Sequence, residues 1–350
     1  MTQPAERLPP LVDEAALKAY LDSHFGAPAE LSVQRHRAGH SNETFFVRYR
    51  SDELVLRRPP SGAFLPTAHD VSREYRVLHA LDSTAVRSPR TVLMCDDESV
   101  IGAPFYVMER VDGVVIRSQL PEQFDEQARP RLGEEMIDAL AELHDVDIDA
   151  CGLGDFGRRE GYLERQLRRW SGQLELTLPM TRPVPDLERL GDWLGDSRPH
   201  SPKSTLVHGD YKLDNVMFAQ VGPVRLVTIL DWEMSTLGDP LADLGWMASF
   251  WLESGEEDDD VLPDLNRVTR LEGFGTRSEL VRRYEEKTGR DAAALEWYRV
   301  LATWKLAILL EGSYARHLAG MTDDPFFARM ERDVPALARR GLAIASGITL

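Results

Sequence analysis

Cysteine is scarce in this chain: Cys95 and Cys151 are the only two. They lack CxxC spacing, so neither a disulfide framework nor a thiolate zinc site is indicated, and both read as reduced, buried thiols. Positive charge is in deficit as well. Lys and Arg total 41 against 58 Asp and Glu, a formal net charge of −17, which repels a phosphate backbone and excludes nucleic acid as an expected partner. No run reaches the roughly 18 apolar residues of a membrane span, and residues 1–10 are polar without the apolar core of a leader. A cytosolic protein with no membrane partner is the expectation. Disorder is not indicated either, because 350 residues that are 43% apolar suffice for a sizeable core.

What is present changes texture along the chain. Asp13, Glu14 and the spacing of Ala16, Leu17, Tyr20 and Leu21 predict a capped helix that stops near Gly26. Residues 31–58 turn to alternating runs, Thr44 to Tyr49 and Glu53 to Arg57, separated by Arg50-Ser51-Asp52, which predict three strands. Val71 to Leu81 has helical spacing, and Pro104 to Glu109 is an apolar strand ending at Asp112-Gly113. Beyond that glycine the pattern is mainly helical, with amphipathic helices over Leu132–His144 and Ala292–Leu318. The stretch from Asp155 to Pro202 is mixed, broken by Pro183, Pro185, Pro199 and Pro202, and reads as an insertion. The acids Glu256 to Asp260 read as a solvated loop rather than a metal site. There is no internal repeat. The fold class expected is α+β, with a small antiparallel-sheet N-lobe over residues 1–110, a larger helical C-lobe over 111–350, and a cleft between them.

The most informative segment is Leu206-Val207-His208-Gly209-Asp210-Tyr211-Lys212-Leu213-Asp214-Asn215. An apolar strand follows, then a turn around Gly222-Pro223, then a second strand ending at Asp231. An antiparallel hairpin returns the chain to its starting level, so Asp231 is expected beside Asn215, with Asp210 alongside both. A carboxylate and a carboxamide with sites left open are what magnesium accepts next to phosphates. A second carboxylate remains for an acceptor hydroxyl. Asp214 is expected to cap the turn.

His208-x-Asp210-x4-Asn215 with the later Asp231 resembles the catalytic and metal motifs of the protein-kinase-like aminoglycoside phosphotransferase family. The resemblance implies Asp210 as catalytic base, Asn215 and Asp231 as ligands of Mg2+, His208 as a shaper of the loop, and Lys212 facing the transferred phosphate. It extends upstream. Arg37 to Glu43, with Gly39, Ser41 and Asn42, lies where the family covers the phosphates of ATP or GTP, and Met108, Glu109 and Val111 fall on its adenine-facing connector. Glu74 matches the glutamate that orients a phosphate-binding lysine, but Arg57 stands where that lysine is expected, which puts nucleotide affinity in question. Ser41 lacks the final glycine of a hydrolase elbow and is not read as a nucleophile.

Downstream, Asp239 precedes Pro240 as a helix cap would, and Asp243 is expected to brace the catalytic loop. Leu56-Arg57-Arg58-Pro59-Pro60, Ala68-His69 before Arg73-Glu74-Tyr75, and Asp231-Trp232-Glu233 resemble the branch of kinase domains fused to certain acyl-CoA dehydrogenases. That branch implies a hydroxyacyl-CoA acceptor. The expected function is thus a small-molecule kinase acting on a metabolite hydroxyl. An antibiotic phosphotransferase, a nucleotide-binding pseudokinase and a metal-dependent hydrolase are the alternatives. Arg158, Arg159, Arg165, Arg168 and Arg169 suit a coenzyme A ester but read first as a solvated face. Trp246, Trp251, Trp297 and Trp304 read as core or cleft wall. Oligomeric state is left open.

Overall fold

Asp13 starts the first helix by accepting from the Ala15 and Ala16 amides at 2.9 and 3.1 Å, and Gly26 ends it at φ 72°. The computed structural model describes residues 11–36, 42–60, 70–256, 261, 267–322 and 324–347. Within them the chain forms two compact units, Met1–Thr84 with Ser88–Asp112, and Ala85–Arg87 with Gly113–Leu350.

In the first unit, α1 (Glu14–Phe25) precedes strands β1 (Leu31–His36), β2 (Glu43–Tyr49) and β3 (Asp52–Arg58), then helix α2 (Val71–Leu81) and strands β4 (Thr91–Cys95) and β5 (Phe105–Glu109). The sheet is antiparallel in the order β1-β2-β3-β5-β4. Pairing of Tyr49 with Asp52 leaves Arg50-Ser51 as a two-residue turn, with Arg50 at φ 57°. That conformation is unusual for a side-chain-bearing residue. Tertiary contacts hold it: the Arg50 guanidinium donates to the carbonyls of Phe25 and Ala27 and sits 5.5 Å from the ring centres of Phe25 and Tyr49. Leu17, Leu21, Phe45, Val47, Leu56, Phe105 and Val107 form the core beneath the sheet, each large apolar side chain contributing about 1.5–3 kcal/mol on burial.

The second unit is mainly helical. Its elements are α3 (Arg129–His144), α4 (Tyr162–Thr177), α5 (Pro185–Asp196), β6 (Thr205–Val207), β7 (Val216–Phe218), β8 (Leu226–Ile229), β9 (Thr236–Gly238), α6 (Leu241–Phe250), α7 (Arg277–Thr288), α8 (Leu295–Leu318), α9 (Pro325–Ala328) and α10 (Met330–Ala345). Two short antiparallel ladders, β6 with β9 and β7 with β8, carry the motif-bearing loops. Helix α8 supplies the core through Trp297, Tyr298, Leu301, Trp304 and Ile308.

The mixed segment read as an insertion contains two regular helices, α4 and α5. Leu187, Leu190 and Leu194 of α5 are fully buried, and the indole N–H groups of Trp304 and Trp297 donate to the Leu187 and Leu194 carbonyls at 2.8 and 3.2 Å. Pro185 occupies the first turn of α5, where its missing N–H costs nothing. Of the acidic run, Glu256 pairs with Arg277 instead of standing in solvent, and residues 257–260 lie outside the described residues. No helix among the described residues is long and apolar enough to cross a membrane.

Candidate active site

Arg57 of β3 and Glu74 of α2 form an ion pair in the first unit. Glu74 is 1% exposed, so the pair is a buried one, and the Asn42 amide approaches the second Glu74 oxygen at 3.5 Å. Arg57, standing where the resemblance puts a lysine, thus reaches Glu74. Tyr106, paired with Arg57 across β5, is fully buried beside Glu74, and burial pushes its phenol well up from the ordinary value. Met108 is buried on β5, Glu109 ties its backbone and carboxylate to Arg90, and Val111 is half-buried on the following connector. Gly39 and Ser41, with the rest of residues 37–41, lie outside the described residues, as does Ala68-His69.

In the second unit the catalytic-loop segment follows β6. His208 is wholly buried and acts as a clamp: its Nε2 lies 2.8 Å from the Leu230 carbonyl and its Nδ1 accepts from the Asp210 amide at 3.2 Å. One nitrogen donating and the other accepting describes a neutral imidazole. It ties the loop to the end of β8, just before Asp231. Gly209 is required by two conditions. Its φ is 85°, and a Cβ there would stand 2.6 Å from the Met234 carbonyl oxygen.

Asp243 braces this loop from the first turn of α6, as expected. Its carboxylate oxygens accept the His208 amide at 2.6 Å and the Gly209 amide at 2.8 Å. Behind it His144 approaches Asp243 Oδ2 at 3.3 Å and accepts from the Tyr284 hydroxyl at 2.8 Å. Burial pulls the imidazole pKa down, with Asp243 opposing it. Burial pushes the Asp243 carboxyl up, but the hydrogen bonds it accepts from His144 and from the Gly209 amide outweigh it and hold the carboxyl low. A neutral His144 donating to an ionised Asp243 satisfies both directions.

Asp210 is gripped on both oxygens. Asn215 Nδ2 donates to Oδ2 at 2.7 Å and to the Asp210 carbonyl at 2.8 Å, while the Trp246 indole donates to Oδ1 at 2.8 Å. Lys212 Nζ lies 3.3 Å from Asp210 Oδ2 and 3.2 Å from Asp214 Oδ2. Burial alone would lower the Lys212 pKa, but these two carboxylates raise it. Asp214 thus pairs with Lys212 where a turn cap was expected. Asp239 does cap α6, its Oδ1 accepting the Leu241 amide at 3.0 Å.

The β7–β8 hairpin brings the strand ends together: the Leu230 amide donates to the Asn215 carbonyl at 2.8 Å, and Asp231 follows directly. Asp231 has φ 63°, a conformation of the kind concentrated at functional sites. Trp246 and Lys305 were missed by sequence reasoning. Lys305 Nζ donates to the Gly209 carbonyl at 3.0 Å and lies 4.4 Å from the Trp246 ring centre. A lone cation in the apolar run Ala302-Thr303-Trp304-Lys305-Leu306-Ala307-Ile308 was the available signal. The four tryptophans are buried as expected, but Trp246 also serves the loop. Among the arginines, Arg159 pairs with Asp149, and Arg169 lies 5.2 Å over the Trp170 ring.

Residues 32–305 match the phosphotransferase enzyme family. The chain belongs to that family. That family is one of phosphotransferase enzymes. A Ralstonia eutropha protein provisionally assigned to the aminoglycoside phosphotransferases superposes with TM-score 0.82 at 32% identity, covering 96% of this chain and 99% of that one. The ternary complex of the aminoglycoside phosphotransferase APH(4)-Ia with AMP-PNP and hygromycin B shares the fold, with TM-score 0.60 at 15% identity over 95% and 98% of the two chains. Acyl-CoA dehydrogenase family member 11 of Rattus norvegicus is 35% identical over 95% of this chain and 43% of its own length. Family member 10 of Mus musculus is 35% identical over 88% of this chain and 28% of its own. The chain therefore spans less than half the length of these two relatives.

Proposed function

We propose that this family member is a small-molecule kinase that moves the γ-phosphoryl group of ATP or GTP onto the hydroxyl of a hydroxyacyl-CoA, with Asp210 as the catalytic base. The observation that carries the reading is the Asp210 carboxylate held on both oxygens, by Trp246 at 2.8 Å and Asn215 at 2.7 Å. A carboxylate fixed in this way can orient an alcohol and take its proton as the new bond forms, and in phosphoryl transfer such positioning supplies much of the rate. The acceptor oxygen bonds to the γ-phosphorus, the bond from that phosphorus to the bridging oxygen breaks, the nucleoside diphosphate leaves, and the acceptor proton passes to Asp210. Lys212, held charged by Asp210 and Asp214, suits the negative charge of the moving group. His208 serves by shaping the loop. In the first unit, Arg57 oriented by Glu74 is suited to phosphate oxygens, Gly39, Ser41 and Asn42 to covering them, and Met108, Glu109 and Val111 to the base.

The donor chemistry fits magnesium. Asn215 spends its amide nitrogen on Asp210, which leaves its carbonyl oxygen for a cation, and the Asp231 carboxylate adds a hard anionic oxygen at the paired strand end. Asn215 and Asp231 would hold the ion, whose charge offsets that of the phosphates. The acyl-CoA acceptor is supported by the two acyl-CoA dehydrogenase family relatives, each 35% identical to this chain.

The test is release of ADP or GDP by the purified protein with magnesium, screened against hydroxyacyl-CoA esters, aminoglycosides and simple amino alcohols, with Asp210→Ala as control. Turnover that depends on a hydroxyacyl-CoA and vanishes in the control is expected. Turnover only with aminoglycosides would replace the acceptor, and failure to bind either nucleotide would overturn the kinase reading.

A further inference from the structure

Lys305 is not used by the phosphoryl chemistry above, yet it is built into the same site. It projects half-buried from α8 among the buried apolar residues Ala302, Trp304, Ala307 and Ile308. Its ammonium stands 4.4 Å from the Trp246 ring centre and 5.8 Å from that of Trp170. The Gly209 carbonyl at 3.0 Å is its one hydrogen-bond acceptor among the described residues. An ammonium carries three donors, so two hydrogens are left without an oxygen among the described residues. Burial lowers the lysine's pKa against the pull of Asp210 and Asp243. A partly desolvated cation with unused donors gains from any oxygen that a ligand brings to it.

Its position relative to Asp210 gives the site a direction. Asn215 and Lys212 take the Oδ2 flank, whereas Trp246, with Lys305 against its ring, takes the Oδ1 flank. We propose that Lys305, walled by Trp246 and Trp170, selects the acceptor by binding a carbonyl or carboxylate oxygen carried on the same molecule as the reacting hydroxyl. This deepens the kinase reading and rests on it for the reaction, but not for the binding. An acyl ester offers such an oxygen, and its chain suits the indole walls. An amine-bearing acceptor would instead bring like charge against Lys305 and against Arg169, which lies over the Trp170 ring.

The experiment is calorimetric titration of the wild type, Lys305→Met, Lys305→Gln and Asp210→Ala with three probes: a short 3-hydroxyacyl-CoA, its thioether analogue in which methylene replaces the carbonyl, and hygromycin B. The wild type should bind the thioester about 10-fold more tightly than the thioether, the factor of one net charge-assisted hydrogen bond of about 1.4 kcal/mol. Lys305→Met should bring that ratio to about one, and Lys305→Gln gives the same reading if the Met variant does not fold. Asp210→Ala should keep the ratio. In turnover, Lys305→Met should raise the KM for the thioester far more than it lowers kcat. If no turnover occurs but the binding ratio behaves as stated, the kinase reading falls and the role of Lys305 stands. An unchanged ratio in folded Lys305 variants, tighter binding of hygromycin B than of the thioester, or binding of none of the probes would overturn it.

Discussion

The indole N–H of Trp246 donates to Asp210 Oδ1 across 36 residues of chain, at 2.8 Å. That bond sets the rotamer of the carboxylate from the side opposite Asn215. Trp246→Phe keeps the ring and removes the donor. Hydrogen bonds to charged groups contribute about 1.5–3 kcal/mol, so kcat should fall by about 10- to 100-fold with little change in nucleotide affinity, as steady-state kinetics and nucleotide titration would show. Unchanged kcat would remove Trp246 from the positioning of Asp210.

Gly209→Ala places a methyl 2.6 Å from the Met234 carbonyl oxygen at a backbone φ of 85°. Neither condition can be relieved by a side-chain rotation. The variant should lose about 1–3 kcal/mol of stability in urea denaturation and nearly all turnover, because the displaced residue adjoins Asp210. A fully active, equally stable variant would show that the loop readjusts.

Arg57 and Glu74 predict an asymmetry between two substitutions. Arg57→Met removes the Arg57 charge from the ion pair with Glu74, which is 1% exposed, and breaking such a pair costs about 3–5 kcal/mol. Arg57→Lys retains a charge and should lose much less. Urea denaturation should rank wild type and Arg57→Lys above Arg57→Met, and the nucleotide Kd should weaken in the same order. Equal stability of the two variants would mean that Glu74 takes up a proton without penalty.

The His144–Asp243 couple predicts acid sensitivity. Both folded pKa values lie below their ordinary values. For each group, the stability it contributes is present above the unfolded pKa and is lost as pH falls through the folded one. His144 begins this loss below pH of about 6.5 and Asp243 adds to it below about 3.9. The melting temperature should therefore drop between pH 7 and 5, and His144→Gln, which cannot titrate, should flatten that part of the profile. An identical profile in the variant would place the acid sensitivity elsewhere.

Much of this was legible in the chain because the signals are short-range. Asp13 and Gly26 bound α1 through contacts two to three residues away, and the spacing from His208 to Asp231 carries the hairpin that brings Asn215 next to Leu230 and Asp231. Strand β4 went unread because Thr91–Cys95 is short and hemmed by turn residues. The segment holding α4 and α5 looked mixed because Pro183, Pro185, Pro199 and Pro202 punctuate it, whereas the tryptophans of α8 that satisfy α5 lie more than 100 residues away.

By itself, then, the sequence determined the loop bearing Asp210 and the pairing of its hairpin, since capping, alternation and tight turns act over a few residues. Only the tertiary structure decided what holds Asp210. Trp246 is 36 residues from it, and Lys305 is 96 residues from Gly209. Both arrive through the packing of α6 against α8, whose contacts depend on side-chain shape in three dimensions and leave no periodic trace along the chain.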